Sequence, residues 1–353
     1  MRKSTRYAFT LFCCVALIAL SLFSLAGCNG EVKSVDSDKV VYLGEDSQFK
    51  ALEKQKDKDF KIMLFTDLQL WMNLSDNNKV YDMMDKLVEE ESPDLIILPG
   101  DNVSGIATKS LLKKLIKKME SYKIPWAPVY GNHDMEGVAS ISWQSDRFEE
   151  AEYCLFERGQ EDLYGMGNYA LSIVEDDKII KSLFFLDNGR YHKYPDGSKR
   201  EVYVGEEQIA WYESTATAIN EFAGYNVPSM VFSHTAMPEM REGIEKLCNK
   251  NEDGFYYVPQ ELGYGYFAYL PGVAPINTGF IDRAKAVGLT HVFCGHDHES
   301  NGSIYYEGIQ YTYGLKTGVS PRYWNDAKIY GATIIEIGDN AEINIRNNIQ
   351  WEA

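Results

Sequence analysis

Five short stretches of this 353-residue chain carry acids, amides or imidazoles whose types and spacing suit metal binding. In chain order they are Asp67-Leu68-Gln69, Gly100-Asp101, Gly131-Asn132-His133-Asp134, Ser233-His234 and Gly295-His296-Asp297-His298. Pooled, they offer enough ligands for two adjacent divalent ions, with one carboxylate shared between them. Two ions about 3.5–4 Å apart can lower the pKa of a water and hold the attacking and leaving oxygens of a phosphoryl group. The residue types therefore indicate metal-assisted hydrolysis of a phosphate ester.

Each stretch follows a short apolar run, and the first three runs alternate with helical patterns. Strands are predicted at 61–66, 94–98 and 126–130, and helices at 79–91 and 109–122. This alternation implies parallel pairing with right-handed crossovers. Because ligands gather at the carboxyl ends of strands in open α/β sheets, we expect the polar stretches to meet at one edge.

The rest of the chain predicts further strands and a second sheet. Strands are expected at 169–174, 179–186, 230–233 and 291–293, and helices at 145–157 and 205–223. The runs at 303–306, 309–313, 332–337 and 341–346 have the pattern of antiparallel strands of a second sheet. The predicted fold class is therefore α/β.

The N-terminus has the layout of a secretory signal. Three basic residues within the first six precede an apolar run at 7–25, which ends in Leu25-Ala26-Gly27-Cys28. This resembles a bacterial lipoprotein signal, in which the cysteine becomes the acylated first residue of the mature protein. The alternative is an uncleaved membrane anchor, since the run is nearly long enough to span a bilayer. Either way we expect the catalytic body outside the cytoplasm and attached to a membrane.

These observations divide the chain into three parts. We expect a lipoprotein signal peptide at 1–27, a polar tether at 28–59 that could include an edge strand at 40–43, and a catalytic domain at 60–353. Three cysteines remain after Cys28, with no CxxC spacing, so buried thiols are favoured over a disulfide; they are Cys154, Cys248 and Cys294.

The charge of the chain excludes nucleic acid as a partner. Removing the signal takes away three positive charges and no acid, which changes the net charge from −17 to −20. Such a field repels nucleic acid, which proteins bind mainly through Lys and Arg. We therefore expect a small phosphorylated substrate held by local cations.

The five stretches resemble the calcineurin-like metallophosphoesterases, whose pattern is D-x-H, G-D, G-N-H-[DE], a lone His and G-H-x-H. The resemblance runs from about residue 60 to 313. Three further details are similar to the branch around short purple acid phosphatases: Pro238-Glu239 after the lone His, Phe185-Leu186-Asp187-Asn188-Gly189, and Lys316-Thr317-Gly318. The resemblance implies a four-layer α/β/β/α sandwich of two mixed sheets.

The resemblance also implies a role for each site residue. Asp67 and His298 would bind the first metal, and Asp101 would bridge both. The second metal would be held by Asn132, His234 and His296. His133 would not be a ligand: it would stabilise the phosphoryl oxygens and protonate the leaving group, with Asp134 holding its ring.

Gln69 departs from the pattern, since the commonest form has His there. We expect it to be a ligand of the first metal; its amide oxygen would tilt the site toward Mn²⁺ or iron, with Zn²⁺ less favoured. Some relatives do carry D-x-Q, notably the manganese-dependent ADP-ribose/CDP-alcohol diphosphatases. Ser104 stands where purple acid phosphatases have a metal-binding Tyr, so no tyrosinate–iron site is expected.

The function implied is hydrolysis of a phosphate monoester or diester by a hydroxide that bridges two metals. Two alternatives remain open: hydrolysis of a nucleotide diphosphate linkage with the same metal core, and a non-catalytic binding module tethered to the surface. The aromatic stretch 252–272 is a packed surface loop or, in a sharper hypothesis, a wall that stacks an organic leaving group on Tyr264, Tyr266 or Phe267.

Overall fold

Strands and helices alternate through the part of the chain that the computed structural model describes, which is residues 40–42, 50–320 and 329–352. The signal peptide expected at 1–27 and the predicted anchor residue Cys28 lie outside these ranges. None of the helices within them is both long and apolar enough to cross a membrane.

The first half of the chain contains most of the parallel strands. Its elements are β1 (Val40–Tyr42), β2 (Lys50–Glu53), β3 (Phe60–Leu64), α1 (Leu74–Glu91), β4 (Leu95–Leu98), α2 (Thr108–Tyr122), β5 (Trp126–Pro128), a 3-10 turn (His133–Met135), α3 (Ile141–Glu149), β6 (Tyr169–Glu175), β7 (Lys178–Leu186), β8 (Tyr191–Lys193) and β9 (Lys199–Glu201). Three strands of this half, β3, β4 and β5, are followed by polar stretches of the site described below.

The second half adds the remaining helices and antiparallel strands. Its elements are α4 (Glu206–Ala223), β10 (Ser229–Ser233), α5 (Pro238–Leu247), β11 (Asn249–Lys250), β12 (Tyr256–Tyr257), β13 (Gly263–Tyr264), β14 (Tyr266–Phe267), α6 (Phe280–Ala286), β15 (Leu289–Cys294), β16 (Ser303–Tyr306), β17 (Ile309–Tyr313), β18 (Ile329–Ile337), a 3-10 turn (Asp339–Ala341) and β19 (Ile343–Glu352).

Two mixed sheets form the centre of the fold. One has the order β19-β18-β3-β4-β5, with β3, β4 and β5 parallel as predicted. The other has the order β1-β2-β6-β7-β10-β15-β17-β16-β13, in which β7, β10, β15 and β17 run parallel. The parallel strands of both sheets supply the loops that carry the polar stretches.

The sheets pack face to face and their outer faces carry helices. Between the sheets, Phe185, Phe232 and Phe293 stack in a row across β7, β10 and β15, with centroids 5.4 and 5.1 Å apart. They join the core that includes the buried faces of α1 and α2. A second core lies on the other side of the larger sheet, where α4 packs on β7 and α6 on β15. The predicted four-layer α/β/β/α sandwich is confirmed.

Three sequence expectations differ from the structure. The four late strands do not form one sheet: β16 and β17 extend the larger sheet, whereas β18 pairs antiparallel with β3 because both of its faces are buried. The helix expected at 145–157 is Ile141–Glu149, capped by the Ser140 side chain. The tether does not extend to residue 59, since Lys50–Glu53 is a strand that pairs in parallel with β6.

Two smaller expectations are confirmed. The edge strand expected near residue 40 exists as Val40–Tyr42 and pairs with β2. The three cysteines are free thiols, and Cys154 and Cys294 are buried.

Candidate metal centre

All five polar stretches follow the carboxyl ends of strands β3, β4, β5, β10 and β15. Their side chains meet in two groups, Asp101 with His234 and His296, and Asp67 with Asp101 and His298. Within each group the ligand atoms lie within 4.8 Å of one another, and Asp101 belongs to both groups. Both carboxylates have no exposed surface. The structure therefore brings together the predicted shared carboxylate and the histidines expected on either side of it.

The backbone of the centre is strained at four residues that carry side chains. Asp67, Gln69, Asp101 and His296 have φ values of 51°, 43°, 53° and 78°. Such angles are unfavourable for residues other than glycine and persist where the surrounding fold imposes them. At the last loop the sharp turn falls on His296.

Two glycines allow the loops to approach one another. Gly100 has a φ of 104°, and a Cβ there would lie 2.5 Å from His234 Nδ1. A Cβ on Gly131 would lie 2.2 Å from Asp101 Oδ1. Both contacts are closer than atoms allow, so the motif glycines are required by the packing of ligands from different strands.

His234 is oriented by a backbone carbonyl behind it. Its Nδ1 donates to the carbonyl of Pro99 at 3.0 Å, which leaves Nε2 facing Asp101 Oδ1 at 3.4 Å and Asn132 Oδ1 at 3.1 Å. Burial lowers the pKa of His234, but the negative charge of Asp101 outweighs it and raises the pKa to about 9. Asn188 supports the loop, because its Oδ1 accepts from the backbone N–H groups of His234 and Thr235.

Glu201 is a contributor to the centre that the sequence did not indicate. Its Oε1 lies 3.7 Å from His296 Nε2. Burial raises the pKa of Glu201, but the hydrogen bond and charge of His296 outweigh it and the pKa is lowered. Metal-binding histidines commonly donate their other ring N–H to a carboxylate. Because Glu201 lies at the end of β9, far from every motif, no local pattern could have identified it.

The first group contains a different set of hydrogen bonds. Asp67 accepts from the backbone N–H of His296 at 3.1 and 3.0 Å, and its Oδ1 lies 3.4 Å from His298 Nε2. Gln69 Nε2 donates to Asp101 Oδ2 at 3.2 Å and to His298 Nε2 at 3.0 Å. The Gln69 oxygen accepts from Lys316 Nζ at 2.8 Å. Gln69 thus lies at the centre, and its role as a ligand stays a prediction.

His133 is oriented by Glu136, and the role expected for Asp134 is wrong. His133 Nδ1 donates to Glu136 Oε1 at 2.7 Å. The Asp134 carboxylate points into the protein and accepts from the backbone N–H groups of Gly131, Asn102 and Val103 at 2.8–3.0 Å. Asp134 therefore joins two ligand loops. The i,i+3 spacing in a helical turn could have identified Glu136.

An aromatic side chain beside the second group comes from the hairpin of β8 and β9. The Tyr191 ring lies 6.2 Å from the ring of His296, and Tyr191 is 40% exposed. Of the three residues proposed for an aromatic wall, Phe267 is fully buried and Tyr266 stacks on Phe255, and the wall at Tyr264 stays a prediction. His192 is exposed in β8, and His291 stacks on Phe293, so neither joins the centre.

The residues present fit two divalent cations. Two fully buried carboxylates face three imidazoles, and the ligand atoms of each group lie within 4.8 Å of one another. Carboxylate, amide oxygen and imidazole ligands suit Mn²⁺, iron and Zn²⁺. The shared position of Asp101 is what a pair of ions requires.

Comparison with known proteins finds a matching family model and relatives of similar sequence. A family model described as calcineurin-like phosphoesterase matches residues 60–300. "Probable inactive purple acid phosphatase 29" of Arabidopsis thaliana is 27% identical over 65% of this chain and 61% of its own length. "Phosphatase DCR2" of Saccharomyces cerevisiae is 28% identical over 72% of this chain and 46% of its own length. The chain thus spans about half to three-fifths of these relatives.

A solved structure shows the same fold. The crystal structure of a dimetal phosphatase from Danio rerio aligns with a TM-score of 0.53 over 84% of this chain and 98% of that one, at 13% identity. The match of the family model over most of the chain, with the converging loops, leads to one conclusion: the chain belongs to the calcineurin-like phosphoesterase family.

Proposed function

We propose that this chain hydrolyses a phosphate monoester or diester outside the cytoplasm with two divalent ions, for which Mn²⁺, iron and Zn²⁺ all suit the ligands. The observation that supports this most is Asp101, a fully buried carboxylate shared by two groups of ligands, with His133 next to it. Gly100, which precedes Asp101 in the chain, and Gly131 allow the ligand loops to approach closely, and this keeps the two groups in contact.

His133 is placed to act as the proton donor. Two divalent ions, when bound, would supply positive charge to the phosphoryl oxygens and a water of lowered pKa. The backbone N–H of His133 donates to Asp101 Oδ1 at 2.8 Å, and its Nε2 lies 3.8 Å from Asp101 Oδ2. Because Glu136 accepts from Nδ1, Nε2 faces the centre. In the protonated ring both nitrogens carry a proton, so Nε2 can give its proton to the departing oxygen while Nδ1 keeps the proton donated to Glu136.

The substrate side of the centre favours a small organic phosphate. Tyr191 lies beside His296 and exposes two-fifths of its surface, so it can contact a leaving group. The net charge of −17 opposes nucleic acid. The same metal core would serve a monoester, a diester or a nucleotide diphosphate linkage, and the loops around Tyr191 decide among them.

The location is proposed from the N-terminal sequence. The apolar run at 7–25 followed by Leu25-Ala26-Gly27-Cys28 supports export and a lipid anchor on Cys28. Stable anchoring requires more than one acyl chain, which an acylated N-terminal cysteine would carry.

One assay separates the candidate functions. Protein loaded with Mn²⁺ is assayed on p-nitrophenyl phosphate, its bis ester and ADP-ribose, with metal content measured in parallel. We expect the wild type to turn over at least one ester. Asp101→Ala should lose both metal and turnover. His133→Ala should keep its metal and lose about 10²–10⁴-fold in kcat. Metal binding without turnover of any substrate would support the non-catalytic module. Equal residual activity in both variants would point to a contaminant.

A further inference from the structure

Lys316 is buried beside the first group of ligands and donates to uncharged oxygens. It exposes 1% of its surface. Its Nζ donates to Gln69 Oε1 at 2.8 Å and to the carbonyl of Asp67 at 3.1 Å. Among the described residues, no carboxylate forms an ion pair with it. A buried ammonium of this kind fixes the orientation of its acceptors.

The ammonium determines which way the Gln69 amide points. An ammonium has three donors and no acceptor, so only the amide oxygen of Gln69 can face it. The NH₂ group is then directed at Asp101 Oδ2, 3.2 Å away, and at His298 Nε2, 3.0 Å away. An amide NH₂ group has no lone pair for a metal ion, and here it occupies the lone pair of His298.

Asn132 in the second group is oriented the opposite way. Its Oδ1 faces the centre, 3.1 Å from His234 Nε2. The second group therefore presents Asp101, Asn132, His234 and His296 as ligands, whereas the first presents Asp67, Asp101 and His298. The first group also has the Lys316 ammonium behind it, whose positive charge repels a cation.

We propose that Lys316 is a positioning residue that holds Gln69 as a hydrogen-bond donor, so that the first metal site lacks the Gln69 ligand and binds its ion more weakly than the second. The chain then keeps one ion firmly and takes up the other according to the free metal concentration. This inference rests on the two-metal centre of the proposed function, but it concerns affinities and not turnover.

The decisive variant is Gln69→Ala, measured by calorimetric titration of the metal-free full chain with Mn²⁺. The wild type should show two sites whose Kd values differ by about 10- to 100-fold, the range expected when groups around a metal site are altered. In Gln69→Ala the weaker site should keep its affinity or bind more tightly. If Gln69 were a ligand, that site would weaken by about 10-fold or more, and the proposal would be overturned.

Lys316→Met tests the positioning role itself. Without the ammonium, the Gln69 amide can rotate its oxygen to the metal, so the weaker site should tighten by about 10-fold while the tighter site is unchanged. Lys181→Met is the matched control, since Lys181 is a lysine buried to 5% exposure on β7 that lies away from the ligand loops. It should leave both affinities as in the wild type.

Three results would overturn the proposal: two sites of equal affinity in the wild type, no change in either site in Lys316→Met, or the same change in Lys181→Met. If Lys316→Met fails to fold, Gln69→Ala decides alone. A wild type that binds two Mn²⁺ ions unequally without hydrolysing any ester would support this inference and contradict the proposed function.

Discussion

The two halves of the metal centre share Asp101 but are surrounded by opposite kinds of hydrogen-bonding groups. Behind the second half stand acceptors: the Pro99 carbonyl accepts from His234, and the Glu201 carboxylate lies at His296. The first half faces donors, the Lys316 ammonium and the Gln69 amide. Acceptors prepare imidazoles to bind a cation, whereas donors compete with it. Ligand types alone therefore do not set the strength of a metal site.

Asp101→Ala should have the largest effect, because it removes the ligand that both halves share. We expect both metal affinities to fall together and kcat to fall by more than about 10⁴-fold, beyond the 10²–10⁴-fold that general acid catalysis supplies. Metal analysis and ester hydrolysis measure the two effects. Asp146→Ala, on the exposed side of α3 where it pairs with Arg158, is the control and should change neither. Loss of only one ion would show that Asp101 is not shared.

Glu201→Gln should affect the second half alone. The neutral amide accepts more weakly from His296, so the tighter Mn²⁺ site should lose about 10- to 100-fold in affinity while the weaker site is unchanged. Titration calorimetry of the metal-free protein separates the two. Glu213→Gln is a suitable control, because it removes a carboxylate on α4 that pairs with Arg283 of α6. An equal loss at both sites would mean that Glu201 supports the fold and not His296.

The sequence predicted the meeting of the five stretches, because parallel strands connected by helices have their carboxyl ends at one edge. The alternation of strands and helices through Asp67, Asp101 and Asn132 was enough to place the first three stretches at one edge of a sheet. It could not predict the groups that orient the ligands, since Glu201 and Lys316 come from distant segments and act only through tertiary contact. The positive φ of His296 is likewise imposed by packing and has no signal in the residue type.

The role of Asp134 was predicted incorrectly for a physical reason. Its neighbour His133 begins a 3-10 turn, so the side chain that returns to His133 is three residues on, at Glu136. Adjacent residues in such a turn point in different directions, and Asp134 is directed inward to the backbone of Asn102 and Val103. Being adjacent in sequence to a proposed proton donor is thus weaker evidence of contact with it than an i,i+3 spacing along a turn.

Glu136→Gln should have the smallest effect, because it changes the orientation of His133 and touches neither half of the metal pair. We expect both Mn²⁺ affinities and KM to stay unchanged and kcat to fall by about 10-fold, a fraction of the 10²–10⁴-fold that general acid catalysis supplies.

Asp134→Asn is the contrasting variant. It exchanges one acceptor for a donor that faces backbone N–H groups, so it should lower the free energy of unfolding by about 1–3 kcal/mol. Thermal unfolding and steady-state kinetics on both variants distinguish the two carboxylates. Asp134→Asn could instead keep its stability and lose kcat, while Glu136→Gln changes nothing. That result would show that Asp134 orients His133 and that Glu136 does not.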